Sequence, residues 1–380
     1  MRLPVKRFLL MTAGVVLLMN LKMETAKAID PPEDEVFTGY NLYQGGGITV
    51  HGPAIIVRKA LKEKAAIEAG ARVDLVSSAS IDVVTQASKY SEERKEYTLG
   101  GSRIFGETLV NASYTLSDES DYTSDTYAVG LTQDLLDKNL TLSLRVARSW
   151  DKVGQNDDPA FGWKDFKRTI YGAGLTQSFS PRWLVQLNYE ISADDGYINN
   201  PYRSALSLGG APLEEHYPDA RTGQAVVLRS SYAFLAARPE GPGGVGSTIQ
   251  IDYRYYRDTF DVRSHTAKLL SQHRVYSNWR MGVFYRYAEQ SAASFYGDRL
   301  PVNQFFRARD KELSSFSDHW AGVSLKYQPP RRTWGWLQKP YFKAGYSMII
   351  FKYDNFTDPR NGELYSKDAH VFSASFGFNY

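Results

Sequence analysis

The chain has no cysteine among its 380 residues. That absence removes disulfides, thiolate metal sites and c-type haem attachment together, so no haem bonded to this polypeptide carries electrons. Long apolar runs are nearly as scarce. Only Phe8–Leu21 qualifies, 14 residues that are short for a bilayer-spanning helix, and mean hydropathy is −0.40. A surplus of one charge sign is missing too. The formal charge of +3 rests on residues 1–28, which hold five Lys or Arg and one Glu; without them 40 basic residues face 41 acidic ones. The basic footprint of a nucleic-acid binder is therefore absent. Histidine is sparse, and His51, His216, His265, His273, His319 and His370 stand singly without H-x-H or H-x-x-x-H spacing. No metal site and no cofactor are expected from them.

What is present begins with a leader. Arg2, Lys6 and Arg7 precede the apolar run, and Ala26-Lys27-Ala28 supplies a small-x-small cleavage site. The pattern predicts a signal peptide over residues 1–28 and a mature chain, residues 29–380, that starts at Ile29 and forms a single domain. Aromatics are abundant, with 26 Tyr and 19 Phe, as strands and membrane-interface girdles require.

Alternation runs from end to end. Ile67, Ala69, Ala71, Val73 and Leu75 oppose Glu68, Gly70, Arg72 and Asp74; Leu140, Leu142, Leu144 and Val146 oppose Thr141, Ser143 and Arg145. The last strand places Phe372, Ala374, Phe376, Phe378 and Tyr380 on one face. Period-two patterning marks strands but not which face is inside. Loop lengths decide. Short links at Leu61–Glu63, Ile104–Gly106, Leu136–Asn139, Ser180–Arg182 and Ser271–Asn278 largely alternate with long polar ones at Ser78–Glu92, Lys152–Trp163, Gly196–Arg221, Ser291–Ser314 and Asp354–Lys367. Periplasmic turns and extracellular loops alternate in this way, with Ala237–Gly246 and Pro329–Gln338 as longer periplasmic turns. The expected fold is all-β: a transmembrane antiparallel up-and-down β-barrel of about 16 strands. It lies in the outer membrane of a Gram-negative bacterium, in contact with lipid and lipopolysaccharide. An even strand count needs Val36–Gln44 as the first strand, closing against the C-terminal one. That C-terminal strand, ending Phe378 and Tyr380, is the expected signal for the barrel-assembly machinery. Trp150 and Trp163 belong at the outer rim, and Trp183, Trp279, Trp334 and Trp336 at the periplasmic rim.

On this pattern the lumen face carries Glu68, Arg72, Asp74, Arg145, Glu190, Arg229, Asp252, Arg254, Arg280, Arg286, Lys326 and Lys343. Two readings stand: a mixed-charge lining that selects small anionic or zwitterionic solutes, or cross-strand ion pairs that brace the wall. The Gly196–Arg221 link is dense in turn residues. With Asp195, Tyr197, Asn200, Tyr202 and Arg203 it forms a constriction or partner site at the pore mouth, or else a self-packed cap. Acidic runs such as Asp118, Glu119 and Asp121 read as solvated loop tips, or as rims that bind divalent cations. No catalysis is expected. Asp318-His319 and Ser264-His265 are strand neighbours that point to opposite faces, and no G-x-S-x-G is present.

Several segments, Val73–Ser88 with Tyr90–Arg94, Asp194–Arg203, Tyr217–Arg221 and Asp252–Thr266, resemble one family of bacterial outer-membrane barrels, domain of unknown function 3570. The resemblance implies an outer-membrane location. It also implies a setting near extracytoplasmic electron transfer, with a periplasmic flavoprotein or a small lipoprotein as partner. The expected function is a channel for small polar or charged solutes or a scaffold for such electron transfer. The alternatives are a plugged binding or assembly barrel and an enzyme with a rim acid/base site.

Overall fold

A computed structural model describes residues 29–78, 90–156, 158–235, 246–330 and 333–380. The expected leader and most of the Ser78–Glu92 and Ala237–Gly246 links lie outside the described residues. Alternating stretches become strands: β1 (Glu35–Gly45), β2 (Ile48–Leu61), β3 (Ala65–Ser78), β4 (Tyr90–Phe105), β5 (Thr108–Asp118), β6 (Tyr122–Leu135), β7 (Leu140–Val153), β8 (Lys164–Ser180) and β9 (Trp183–Gly196). Two short strands follow, β10 (Ser204–Leu206) and β11 (Pro212–Glu214). Then come β12 (Ala220–Leu235), β13 (Ser247–Asp258), β14 (Arg263–Tyr276), β15 (Trp279–Gln290), β16 (Phe316–Tyr327), β17 (Thr333–Trp334), β18 (Leu337–Thr357) and β19 (Leu364–Asn379). Among the described residues β1–β9, β12–β16, β18 and β19 form one closed antiparallel barrel of 16 strands. The β10–β11 ladder stands apart, and β17 pairs only with β18. Among the described residues no helix is long and apolar enough to cross a membrane.

The seam closes between the two segments that parity demands. Val36 lies opposite Phe378, and Gln44 opposite His370. Closure leaves no unpaired strand edge, the condition for a sheet to sit in lipid. The start of β1 and the end of β19 lie at one end, here the terminal end, with the short links; the long links lie at the other, the loop end. One expected link is corrected. Ser271–Asn278 is mostly strand, since β14 runs to Tyr276. Polar residues on both faces, Ser271 and His273 outward and Gln272 and Arg274 inward, hide its alternation.

Large apolar side chains crowd one face and stay exposed there: Ile67 at 50%, Leu99 at 63%, Leu144 at 59% and Ile251 at 56%. Charged side chains crowd the other face. Arg254 on β13 feels both Glu190 on β9 and Arg286 on β15, so that face is the interior. An apolar exterior around a charged interior inverts the pattern of a soluble barrel and matches a lipid-facing one.

Rows of paired residues climb as they circle the wall. A row that starts at Glu35, at the terminal end of β1, reaches Gly223 and Asp258 at the loop end of β12 and β13. A constant height therefore needs a step back of about one residue per strand, the stagger that tilted strands impose. Along that level every loop-end hairpin carries an outward tyrosine: Tyr40, Tyr97, Tyr114, Tyr171, Tyr189, Tyr253, Tyr285 and Tyr346. In four hairpins the hydroxyl is hydrogen-bonded diagonally to a histidine Nδ1 two residues nearer the loop end: Tyr40 to His51 (2.6 Å), Tyr253 to His265 (2.6 Å), Tyr285 to His319 (2.7 Å) and Tyr346 to His370 (2.8 Å). Asp125 and Gln224 take the histidine's place as acceptors for Tyr114 and Tyr189. On β15 the outer face from Trp279 to the level of these hydroxyls spans about 27 Å along the strand at ~3.4 Å per residue. Tilt reduces this to roughly 20 Å, close to the apolar band of an outer-membrane barrel.

Candidate functional site

The inner wall holds all twelve charged residues that alternation assigned to it, but in two different arrangements. Six are ion-paired within the wall. Arg58 joins Glu35 (3.2 Å) to Glu68 (2.7 Å), and Arg72 meets Asp74 (2.8 Å) with both nearly buried. Arg229 grips both oxygens of Asp252 (2.8 and 3.0 Å), and Arg286 lies 3.3 Å from Asp318. Arg72 and Asp74 share β3, while the other pairs brace neighbouring strands; all of them cancel charge locally. Arg58, Arg168 and Lys268 escaped the sequence reading. The inner face of β2 also carries Ile48, Val50 and Ile56, which blurs the alternation around Arg58.

The other six are arranged differently. Arg145 and Glu190 share a row with Gly172 between them, and both are exposed to the interior. Arg254 stacks over Tyr256 (5.0 Å). Arg280, Lys326 and Lys343 are direct cross-strand neighbours, and Arg274, absent from the sequence reading, extends the row. Four cations thus stand side by side on β14, β15, β16 and β18 near the terminal end. Like charges opposite one another destabilise a sheet, yet here they concentrate positive potential on one sector. Among the described residues neither Arg280 nor Lys343 is in an ion pair. The next row toward the loop end is Gln272, Gly282, Ser324, Gly345 and Ser373, four of them small. Two rows further, Arg229, Asp252, Lys268 and Arg286 again adjoin.

The loop-end mouth bears a folded cap. Residues 197–219 and 291–315 interlock through bridges of Ser207 with Leu300 and His216 with Arg307. Tyr217, Phe260, Val262, Ala293, Phe295, Ala308 and Leu313 form its apolar core, against Tyr256 from the inner wall. The turn Lys311–Leu313 lies over the interior, with Glu312 in electrostatic range of Tyr43 on β1. Arg203 is ion-paired with Asp310, both largely buried. Arg309 ties Asp298 (3.0 Å) to the Thr357 carbonyl (2.9 Å). Burial raises the Tyr217 hydroxyl well above the ordinary tyrosine range, and the Glu215 carboxylate at 2.6 Å adds to it. Burial, with nearby carboxylates, raises Tyr197 and Tyr296 similarly.

Four of the five expected loop residues join this cap. Tyr197 meets Phe161 edge-on (5.5 Å), and the Asn200 side chain accepts from the Tyr202 amide (3.0 Å). The Tyr202 hydroxyl donates to Asp121 and accepts from the Asn156 amide (2.7 Å), while Arg203 holds Asp310. Asp195 does not join them: it ends β9 on the exposed outer face, because the alternation of β9 carries odd-numbered residues outward. Beside Tyr202, one carboxylate oxygen each from Glu92, Glu119 and Asp121 lies within 4.8 Å of the others. This trio could hold a hard cation, although Arg94 already sits 3.6 Å from Glu119. His265 and His319 both lie in the outer belt, each held by a tyrosine.

Fold and wall together define a β-barrel of the outer-membrane type. Solved structures agree at the level of fold: the bacterial polysaccharide outer membrane secretin superposes with a TM-score of 0.51 at 10% identity, covering 92% of this chain and 98% of that one. The monoaromatic hydrocarbon channel CymD (TM-score 0.44, 12% identity, 92% and 89% covered) and OccD3 of Pseudomonas aeruginosa (0.47, 9%, 93% and 93%) are also similar. The chain belongs to the family described as protein of unknown function (DUF3570), whose model matches residues 83–329. No curated protein matches it.

Proposed function

We propose that the chain is an outer-membrane channel for small anionic solutes, with a cap of interlocked loops over its outer mouth. The observation that carries this reading is the row Arg274, Arg280, Lys326 and Lys343 beside a row of small residues. Four adjacent cations facing the interior attract anions and repel cations, and the small neighbouring side chains leave room for a solute beside them. The braced pairs elsewhere keep the rest of the wall close to neutral. Planar-bilayer recordings across a KCl gradient test it. The reversal potential should show preference for chloride, and Arg280→Glu with Lys343→Glu should move it toward potassium. The interlocked cap favours a second reading, a plugged binding or assembly barrel. Complete absence of current at either polarity would sink the open-channel reading.

A further inference from the structure

The main-chain nitrogen of Ile29 donates to Oδ2 of Asp134 at 2.7 Å. Both residues are buried; Asp134 is 1% exposed. Its other oxygen accepts from the Thr141 hydroxyl (2.7 Å), and Lys138 Nζ donates to the Ile29 carbonyl (2.9 Å). Among the described residues no Lys, Arg or His is ion-paired with Asp134, and a buried carboxylate without a counter-charge is costly. Of the two groups that donate to it, Thr141 is neutral, and the other is the nitrogen of the residue at which the leader motif starts the mature chain.

We propose that leader removal turns this nitrogen into an α-ammonium that Asp134 binds, pinning residues 29–34 as a strap across the terminal mouth of the barrel. The Ala28–Ile29 peptide bond is hydrolysed by a leader peptidase: water supplies a hydroxyl to the Ala28 carbonyl carbon and a proton to the Ile29 nitrogen; the new carboxyl group then releases its proton to solvent, and the amine takes one up. An amide donor thereby becomes a charged one, and charge-assisted bonds are roughly twice as strong as neutral ones. The other end of the strap is fixed already. Glu33 pairs with Lys339 on β18 (2.6 Å), while Asp34 pairs with Lys59 and accepts from the Ala60 amide on β2. From β1 to β6 the wall path is about 24 Å at ~4.8 Å per strand. Five extended residue steps reach at most about 18 Å. The segment must therefore cut across the opening as a chord, and Pro31-Pro32 stiffens it.

The inference rests on export and processing of the chain, and not on conductance. The test uses protein purified from outer membranes. Intact mass should place the first residue at Ile29. A short pulse of an amine-reactive acyl reagent near pH 7 should label the α-amine of the mature chain at least about tenfold more slowly than that of Asp134→Asn or of a chain with one alanine inserted before Ile29. Heat-modifiable gel migration identifies folded barrels, and if Asp134→Asn does not fold, the insertion variant decides alone. A first residue other than Ile29, or equal labelling of the wild-type and variant chains, would overturn the proposal.

Discussion

Tyr217 shows how one buried side chain ties a loop to pH. Its hydroxyl donates to Glu215, and the Glu215 carboxylate in turn accepts from the Arg309 amide (2.6 Å), so a single residue joins the two cap loops. Its folded pKa lies above the unfolded value of about 10. The stabilisation from keeping the phenol neutral is therefore complete below pH ~10 and is lost as pH rises through the folded value. The cap should loosen on the alkaline side, and Tyr197 and Tyr296 act in the same sense. Cleavage within residues 291–315 by an alkali-tolerant protease should rise steeply above about pH 10, and Tyr217→Phe should move that rise to higher pH. An identical profile for the variant would remove Tyr217 from the account. None of this was legible in the sequence. Tyr217 and Glu215 are two residues apart in an aperiodic link, and nothing in their spacing announces Arg309. The wall charges were legible, because each alternates with apolar neighbours on a regular strand. Which of them pair was not, since partners such as Arg229 and Asp252 meet only once register is fixed.

Strands carry their own evidence of face, and the seam shows how far that extends. Alternation in Phe372–Tyr380 and the need for an even count were enough to pair the last strand with Val36–Gln44. The register, Asn41 opposite Ser373, belongs to the structure. A chain without native cysteine makes it directly measurable. Asn41→Cys with Ser373→Cys should form a disulfide on mild oxidation, because directly paired residues bring their Cβ atoms within bridging distance. Asn41→Cys with Gly377→Cys, four residues out of register, should not; bridging in the second pair and not the first would displace the seam. The cap elements eluded sequence reading for a physical reason. Tyr217, Phe260 and Phe295 come from three different links, and they acquire a common core only after the barrel has brought those links together.

At the scale of the whole molecule, the cap and the wall are separable structures that share a mouth. The wall is held by continuous strand pairing, whereas the cap depends on one small apolar core and a few charged contacts. Asp310→Ala removes the carboxylate facing Arg203 and leaves that guanidinium largely buried, a change that costs about 3–5 kcal/mol where burial is complete. The expected outcome is an open cap on an intact barrel. Single-channel conductance should rise severalfold, while heat-modifiable migration stays that of the parent chain. Loss of the barrel itself would show that cap and wall fold as one unit.

The tyrosine level also bears on how such a wall is assembled. A hairpin that slips by two residues against its neighbour keeps every side chain on its proper face, so alternation alone does not penalise the error. It would, however, carry its tyrosine off the common level by about 5 Å, two strand rises reduced by the tilt. With one such ring in each of the eight hairpins, the membrane surface acts as a ruler against which every hairpin is aligned as it is added. The stagger of the finished barrel is then marked by where the tyrosine falls within each hairpin.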